Sequence, residues 1–262
     1  MQPIKKNRLD QILVDRGLAP TKTKAQALIL AGLVMVNGET VTKAGTSISL
    51  ESEIVLKETL KYVSRGGLKL EGALKHFQIL VKGLEILDVG ASTGGFTDCL
   101  LQEGAKKIYA IDVGRGQLDV SLRNHPQVEF KESFHVRELS PETFGRKFGF
   151  VVMDVSFISL KKVLPFVVKC LEPGATVLAL VKPQFETEAK YLDKGILKNE
   201  EHRMGIIANM KQWVKTELHF QDIQTSDSVL KGPKGNQETF LFARTDLLRP
   251  DQNCQDGGGP SF

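Results

Sequence analysis

The sequence predicts an α/β chain with a mostly parallel sheet, preceded by a smaller α+β domain. Three observations predict this. From Gly66 onward, buried-looking runs (LEILDVG, KKIYAIDV, VEF, FGFVVMDVSF, ATVLALVKPQF) recur with helical patterns between most of them, the alternation that parallel strands and crossover helices produce. Residues 8–41 carry a different pattern, two short helices and then a hairpin signal. The length of 262 residues, with 41% hydrophobic and 25% charged side chains, suits a globular chain with room for a small domain and a medium one. The expected divisions are a first domain at 1–59, a linker at 60–64, a second domain at 65–248, and a polar, glycine-rich tail at 249–262 that is expected to be disordered.

In the first domain, RLDQILVDRG sets Leu9, Ile12 and Leu13 at helical spacing and closes on Gly17. Thr21 can cap a second helix, TKTKAQALILAG, with Ala25, Leu28 and Ile29 on its apolar face and Gly32 as its stop. LVMVNGETV then reads as a hairpin about Asn37-Gly38. The net charge of the whole chain is +4. Residues 1–43 match that excess by themselves, with seven basic side chains against three acidic ones. A mildly basic chain is compatible with nucleic acid without requiring it.

The stretches RLDQILVDRGL, TKTKAQALILAGLVMVNG and VTKAGTSI resemble the S-four RNA-binding domain over residues 7–57. The resemblance implies that the second helix and the adjoining loop grip structured RNA through backbone charge and shape. Lys6, Arg8, Lys24 and Lys43 are the candidate contacts there, with Arg65 in the second domain. Thr23-Lys24 departs from the Ser-Arg common in that family but keeps the positive charge.

The three cysteines, Cys99, Cys170 and Cys254, have no paired or metal-ligand spacing, and a reducing cytoplasm fits them. No metal site is expected. No apolar run reaches membrane-spanning length, and nothing calls for a membrane or an obligate protein partner.

The sharpest local signal is LDVGASTGGFTDCLL at 87–101, a buried strand, a glycine-rich turn and the start of a helix. The next strand ends in Ile111-Asp112, where a carboxylate can accept from ribose hydroxyls. The turn is neither the G-x-G-x-x-G dinucleotide fingerprint nor a phosphate loop. Asp88 beside it would repel a pyrophosphate and suits a cationic cofactor without phosphate, S-adenosylmethionine. The candidate cofactor residues are Asp88, Gly90, Ala91, Ser92, Thr93, Gly94, Asp112, Val113 and Asp154. Ser133, Phe134 and His135 are adenine-pocket candidates, although His135 reads equally as a solvated loop histidine.

Four charged residues stand where apolar elements meet a ligand edge. Lys69 lies beside a helical apolar face, Asp154 and Lys182 end buried strands, and Glu238 opens the last one. A ribose 2′-hydroxyl is a poor nucleophile until a base removes its proton. Lys182 is assigned as that base, with Lys69, Asp154 and Glu238 orienting it and tuning its pKa.

SRGGLKL, DVGASTGGF, MDVSFISL, LVKPQFE and KGPKGNQETF together resemble the TlyA, or hemolysin A-like, family up to about residue 247. That resemblance implies a Rossmann-like class I methyltransferase domain of the FtsJ type fused to an S-four domain. It also implies a Lys69-Asp154-Lys182-Glu238 tetrad and ribosomal RNA, or a ribosomal subunit, as substrate for cytidine 2′-O-methylation. His135, where the family more often has Asn, and Leu60-Lys61-Tyr62-Val63, in place of Arg-x-Trp-Val, depart from the pattern. Three rivals compete. A catalytically silent RNA-binding assembly factor would not need the four charges. A membrane-active haemolysin would need an amphipathic or spanning segment. An amino-directed methyltransferase often carries Asn/Asp-Pro-Pro-aromatic where this chain has Asp154-Val155-Ser156-Phe157.

Overall fold

The computed structural model describes residues 6–30, 32–56, 61–232 and 234–246, and the chain forms two compact units, 1–60 and 61–262. The tail expected at 249–262 and the side chain of Lys24 lie outside the described residues.

In the first unit, α1 (Leu9–Asp15) and α2 (Lys22–Leu30) pack Leu9, Ile12 and Leu13 against Ala25, Leu28 and Ile29. The expected hairpin forms from β2 (Val34–Val36) and β3 (Glu39–Thr40). Asn37 at φ 49° and Gly38 at φ 84° supply the two left-handed positions that such a two-residue turn requires. β5 (Ile54–Leu56) pairs with β2 and completes a three-stranded sheet. The strand within VTKAGTSI, β4 (Ser47–Ser49), does not join this sheet; it pairs with β1 (Lys6–Arg8) at the front of the unit. Asp10, fully buried in α1, accepts two bonds from the Arg8 guanidinium (3.0 and 2.8 Å) and one from Gln26 of α2 (2.9 Å). The bonds from Arg8 hold its carboxyl well below the usual carboxylate range.

The second unit carries a seven-stranded sheet. Its strands in chain order are β6 (Glu85–Val89), β7 (Lys107–Ile111), β8 (Val128–Lys131), β9 (Phe148–Met153), β10 (Leu171–Val181), β11 (Gln221–Asp227) and β12 (Thr239–Arg244). Across the sheet the order is β8-β7-β6-β9-β10-β12-β11. β6 to β10 run parallel, and β12 is antiparallel to both of its neighbours. The expected terminal hairpin is therefore β11–β12, with β12 inserted against β10. Helices α3 (Arg65–His76), α4 (Gly95–Gln102), α5 (Val120–Arg123), α6 (Leu160–Val167) and α7 (Glu200–Glu217) connect the strands.

The central strands are buried on both faces, as a covered parallel sheet demands, while the edge strands β8 and β11 are only partly covered. Leu87, Val89, Val151 and Met153 enter one apolar cluster, and Ile86, Ile108, Phe150 and Val152 enter the other. Each such side chain contributes roughly 1.5–3 kcal/mol when removed from water. Asp88 shares the face of Ile86, and there it is the exception that marks a site.

The segment expected as a linker at 60–64 is mostly structured as part of the second unit. Tyr62 is 2% exposed within the Leu70–Phe96 cluster, and Val63 N donates to Asp98 Oδ2 at 2.7 Å. A Cβ on Gly67 would fall 2.2 Å from the Tyr62 ring, so the glycine opens the slot that the ring occupies. A large apolar ring beside such a slot gains more from burial than from remaining in a free connection.

Candidate active site and nucleic-acid interface

β6 lies between β7 and β9, so its carboxyl end opens where the connections diverge to opposite sides, the place where open α/β sheets bind ligands. The turn from Gly90 to Gly94 sits there. Gly90 has φ 87°, and a Cβ on it would lie 2.8 Å from the backbone oxygen of Asp154, so only glycine lets β6 and β9 approach this closely. Gly94, at φ 96°, starts α4 in a space closed by Leu118 and Leu122.

Asp112 follows β7 directly. Its carboxylate accepts from Ser92 N at 2.8 Å and from Gly114 N at 2.6 Å, which ties the glycine-rich turn to the next loop. Val113 beside it is 67% exposed, an apolar surface left uncovered. Ser133 N and Phe134 N donate to the Gly114 and Asp112 carbonyls, so the third strand's end does border this loop. His135 is exposed, and its Nδ1 accepts from Arg137 N at 3.1 Å, a local cap.

Asp88 lies in β6, next to the glycine-rich turn. It is fully buried beneath it and accepts from Thr97 Oγ1 at 2.7 Å, while its Oδ1 has no partner. Burial, with Asp154 and Asp112 adding negative charge, pushes its carboxyl up to about 7. An orphaned buried acceptor, a glycine cradle, a carboxylate and an exposed apolar patch fit a ligand that has a cationic end, a ribose and an aromatic ring.

The four charged residues come together on one edge as two ion pairs. Lys69 Nζ donates to Glu238 Oε2 at 2.5 Å, and Lys182 Nζ lies 2.6 Å from Asp154 Oδ1. The topology explains the meeting. β9 and β10 end at this edge, while the antiparallel β12 begins there, and the Val181–Thr239 pair sets Lys182 opposite Glu238. α3 brings Lys69 in from above, its start held against α4, since a Cβ on Gly95 would lie 2.2 Å from Ser64 Oγ. A Cβ on Gly232 would fall 2.5 Å from Glu238 Oε1, so the backbone at Gly232 passes directly over that carboxylate.

Sequence reasoning missed several residues of this site. Lys182 Nζ also donates to Ser156 Oγ at 2.6 Å. Phe157, 89% exposed at φ 64°, packs its ring 5.1 Å from that of Phe185. Glu186 accepts from Ser159 Oγ at 2.5 Å and Leu160 N at 2.7 Å, and burial raises its pKa. Asn236 is 3% exposed and pins the loop over Glu238 through Leu197 N and the Gly195 carbonyl. An exposed phenylalanine inside MDVSFISL was the available signal. The others are loop residues whose partners lie 26 or more positions away.

The candidate RNA contacts fall in both units. Lys6 and Lys43 are exposed in the first unit, whereas Arg8 is spent on Asp10. Arg65 belongs to the second unit, where its Nη2 donates to the Lys231 carbonyl at 3.0 Å. Among the described residues no group of three His, Cys, Asp or Glu side chains is placed to hold a metal ion, and no helix is long and apolar enough to cross a membrane.

Residues 62–245 match the FtsJ-like methyltransferase family, and residues 7–54 match the S4 domain. The chain is 42% identical, over 92% of its length and 91% of the relative's, to the 16S/23S rRNA (cytidine-2′-O)-methyltransferase TlyA of Mycobacterium tuberculosis. It is 42% identical, over 88% of its own length and 97% of the relative's, to Hemolysin A of Brachyspira hyodysenteriae. A solved hemolysin-like protein from Streptococcus thermophilus superimposes with a TM-score of 0.71 at 38% identity, covering 93% of this chain and 90% of that one. With an S4 domain, an RNA-binding fold, joined to an S-adenosylmethionine-using catalytic domain, the chain belongs to the FtsJ-like methyltransferase family in its TlyA, hemolysin A-like form.

Proposed function

We propose that this protein methylates the 2′-oxygen of a cytidine ribose in ribosomal RNA, within a ribosomal subunit in the cytoplasm, with Lys182 as the base. The observation that carries the reading is the Lys182 amine, largely buried at the ligand edge and held between Asp154 and Ser156. The relative named as a 16S/23S rRNA (cytidine-2′-O)-methyltransferase, alike over most of both chains, supports the substrate.

When bound, S-adenosylmethionine supplies a methyl carbon on a sulfonium, which an aligned oxygen can displace. The Gly90–Gly94 turn, with Ala91, Ser92 and Thr93, would hold it, with Asp112 toward the ribose, Val113 toward the adenine, and Asp88 and Asp154 adding negative charge near its cationic end. The remaining chemistry belongs to this chain. Lys182 takes the proton as the ribose oxygen forms its bond to the methyl carbon, and Asp154 steadies the resulting ammonium. The Lys69–Glu238 pair fixes the wall behind them. Phe157, exposed beside Asp154, offers a face on which the target base can stack. Lys6 and Lys43, both exposed, are placed to meet phosphates.

The test is a map of 2′-O-methylation across ribosomal RNA in cells with the protein, without it, and with Lys182→Ala. A methyl group that appears only with the active protein supports the reading. Identical maps in all three would refute it.

A further inference from the structure

We infer that Ser156 is a positioning residue for methyl transfer: its hydroxyl fixes the direction in which the Lys182 lone pair points. The inference rests on the reading of Lys182 as the base.

The two contacts of the amine differ in kind. The approach to Asp154 Oδ1 at 2.6 Å is a close ion pair without hydrogen-bond alignment, since that oxygen has no aligned donor. The contact with Ser156 Oγ, also at 2.6 Å, is an aligned hydrogen bond, the one such bond of the amine among the described residues. Coulomb attraction between charges varies with distance and is nearly indifferent to the angle at nitrogen, whereas a hydrogen bond weakens steeply with misalignment. Asp154 therefore keeps the amine at the edge, and Ser156 orients it. A neutral amine has two N–H bonds and one lone pair. With one N–H committed to Ser156 and the other drawn toward Asp154, the remaining tetrahedral position holds the lone pair, the only group that can take a proton.

Ser156 can do this because its own place is set independently of Lys182. Asp154 N donates to Val89 O at 3.0 Å, which anchors the loop at one end. Phe157 packs on Phe185, and Ser159 Oγ and Leu160 N both donate to Glu186, which anchors it at the other. The loop after β9 is thus held to the end of β6 before Ser156 and to the loop after β10 beyond it. A hydroxyl held this firmly can impose a direction on a lysine, whose four-carbon stem otherwise turns freely.

The test compares Ser156→Thr with Ser156→Val, two side chains of nearly the same shape that differ in the hydroxyl. Single-turnover methylation of ribosomal subunits is measured together with cofactor affinity by calorimetry and RNA affinity by filter binding. Ser156→Val should lose about 10- to 100-fold in rate, the scale of a misdirected catalytic group, with both affinities unchanged. Ser156→Thr should recover most of the rate. Ser156→Ala, at an exposed position, gives the same loss without added bulk and guards against a folding defect in the valine variant. Valine and threonine falling together, or both affinities falling with the rate, would overturn the inference in favour of a merely structural serine. Lys182→Arg in the same assay separates the two failures. An inactive arginine variant beside a fully active Ser156→Val sinks this inference alone. An arginine variant near wild-type rate sinks the base reading and this inference with it.

Discussion

The two ion pairs at the sheet edge look equivalent in sequence and differ in their exposure. Lys69 and Glu238 are sealed, with side chains 8% and 1% exposed. Lys182 and Asp154 stand at a rim, at 10% and 21%, with exposed Ser156 and Phe157 beside them. The two lysines are almost equally covered; the pairs differ in their carboxylates and in the exposed Ser156 and Phe157, which leave the second pair an open side. The first is closed over by the loop whose backbone Gly232 brings against Glu238. On the proposed reading, the open pair performs the chemistry and the other holds the wall against which it occurs.

The largest effect should come from the open pair. Lys182→Ala should lower methyl transfer by about 10²- to 10⁴-fold, the usual contribution of a positioned base, with cofactor and RNA binding near normal. Lys182→Arg should lose as much, because guanidinium keeps its proton. Single-turnover rates decide it.

The sealed pair should respond in stability first. Lys69→Ala leaves the buried Glu238 carboxylate without its cation, a change that typically costs about 3–5 kcal/mol, and urea denaturation should show it. Lys69→Met with Glu238→Leu removes both charges and should recover most of that stability, because two desolvated charges become apolar packing. The comparison is sharpened by activity. If the double variant also recovers the full rate, the sealed pair has no part in catalysis beyond holding the fold.

The sheet edge was legible for a physical reason. A charge that ends a buried apolar strand breaks a strong pattern, so Asp112, Asp154 and Lys182 stand out without any structure. Glu238 stands out in the same way, one residue before β12 begins. Glycines at strand-to-helix turns are similarly conspicuous. Ser156, Glu186 and Asn236 break no pattern, since polar residues in loops are the rule, and their roles come from partners brought near by the sheet. The same limit hid the Arg8–Asp10–Gln26 interlock, which joins two helices across 16 positions. Tyr62 was misread as linker because its neighbours Leu60, Lys61 and Ser64 resemble a connection, and only the Gly67 slot shows otherwise.

Asp88 should make stability depend on pH. Its carboxyl is raised to about 7 in the folded protein, against about 3.9 when unfolded, so the folded state holds the proton more tightly. The stability that protonation confers is present in full at low pH and is lost as pH rises from about 4 through about 7, a change on the order of 4 kcal/mol. Without cofactor, Asp88→Asn should keep the acceptor for Thr97 and flatten this dependence, raising the melting temperature at pH 8. It should also weaken cofactor binding in calorimetry. A melting curve with the same pH dependence in wild type and variant would remove Asp88 as its source.

The smallest effect concerns the first unit and sets Lys43 against Arg8. Both are basic and partly or fully exposed, yet Lys43 has no carboxylate partner among the described residues, while Arg8 is neutralised by Asp10. Each phosphate met by a cation releases counterions, so the logarithm of RNA affinity falls with the logarithm of salt concentration by about 0.7–0.9 per contact. Lys43→Ala should therefore reduce the salt slope by roughly one contact and weaken binding evenly across RNA sequences. Arg8→Ala should leave the slope almost unchanged and instead loosen the unit, because Asp10 loses the partner that holds its charge in a buried place. Filter binding across a range of salt, together with a thermal melt, measures both quantities. Should Arg8→Ala reduce the slope as much as Lys43→Ala does while the melt stays put, Arg8 must leave Asp10 to meet RNA. Its place in the α1–α2 interlock would then be a resting state rather than its function.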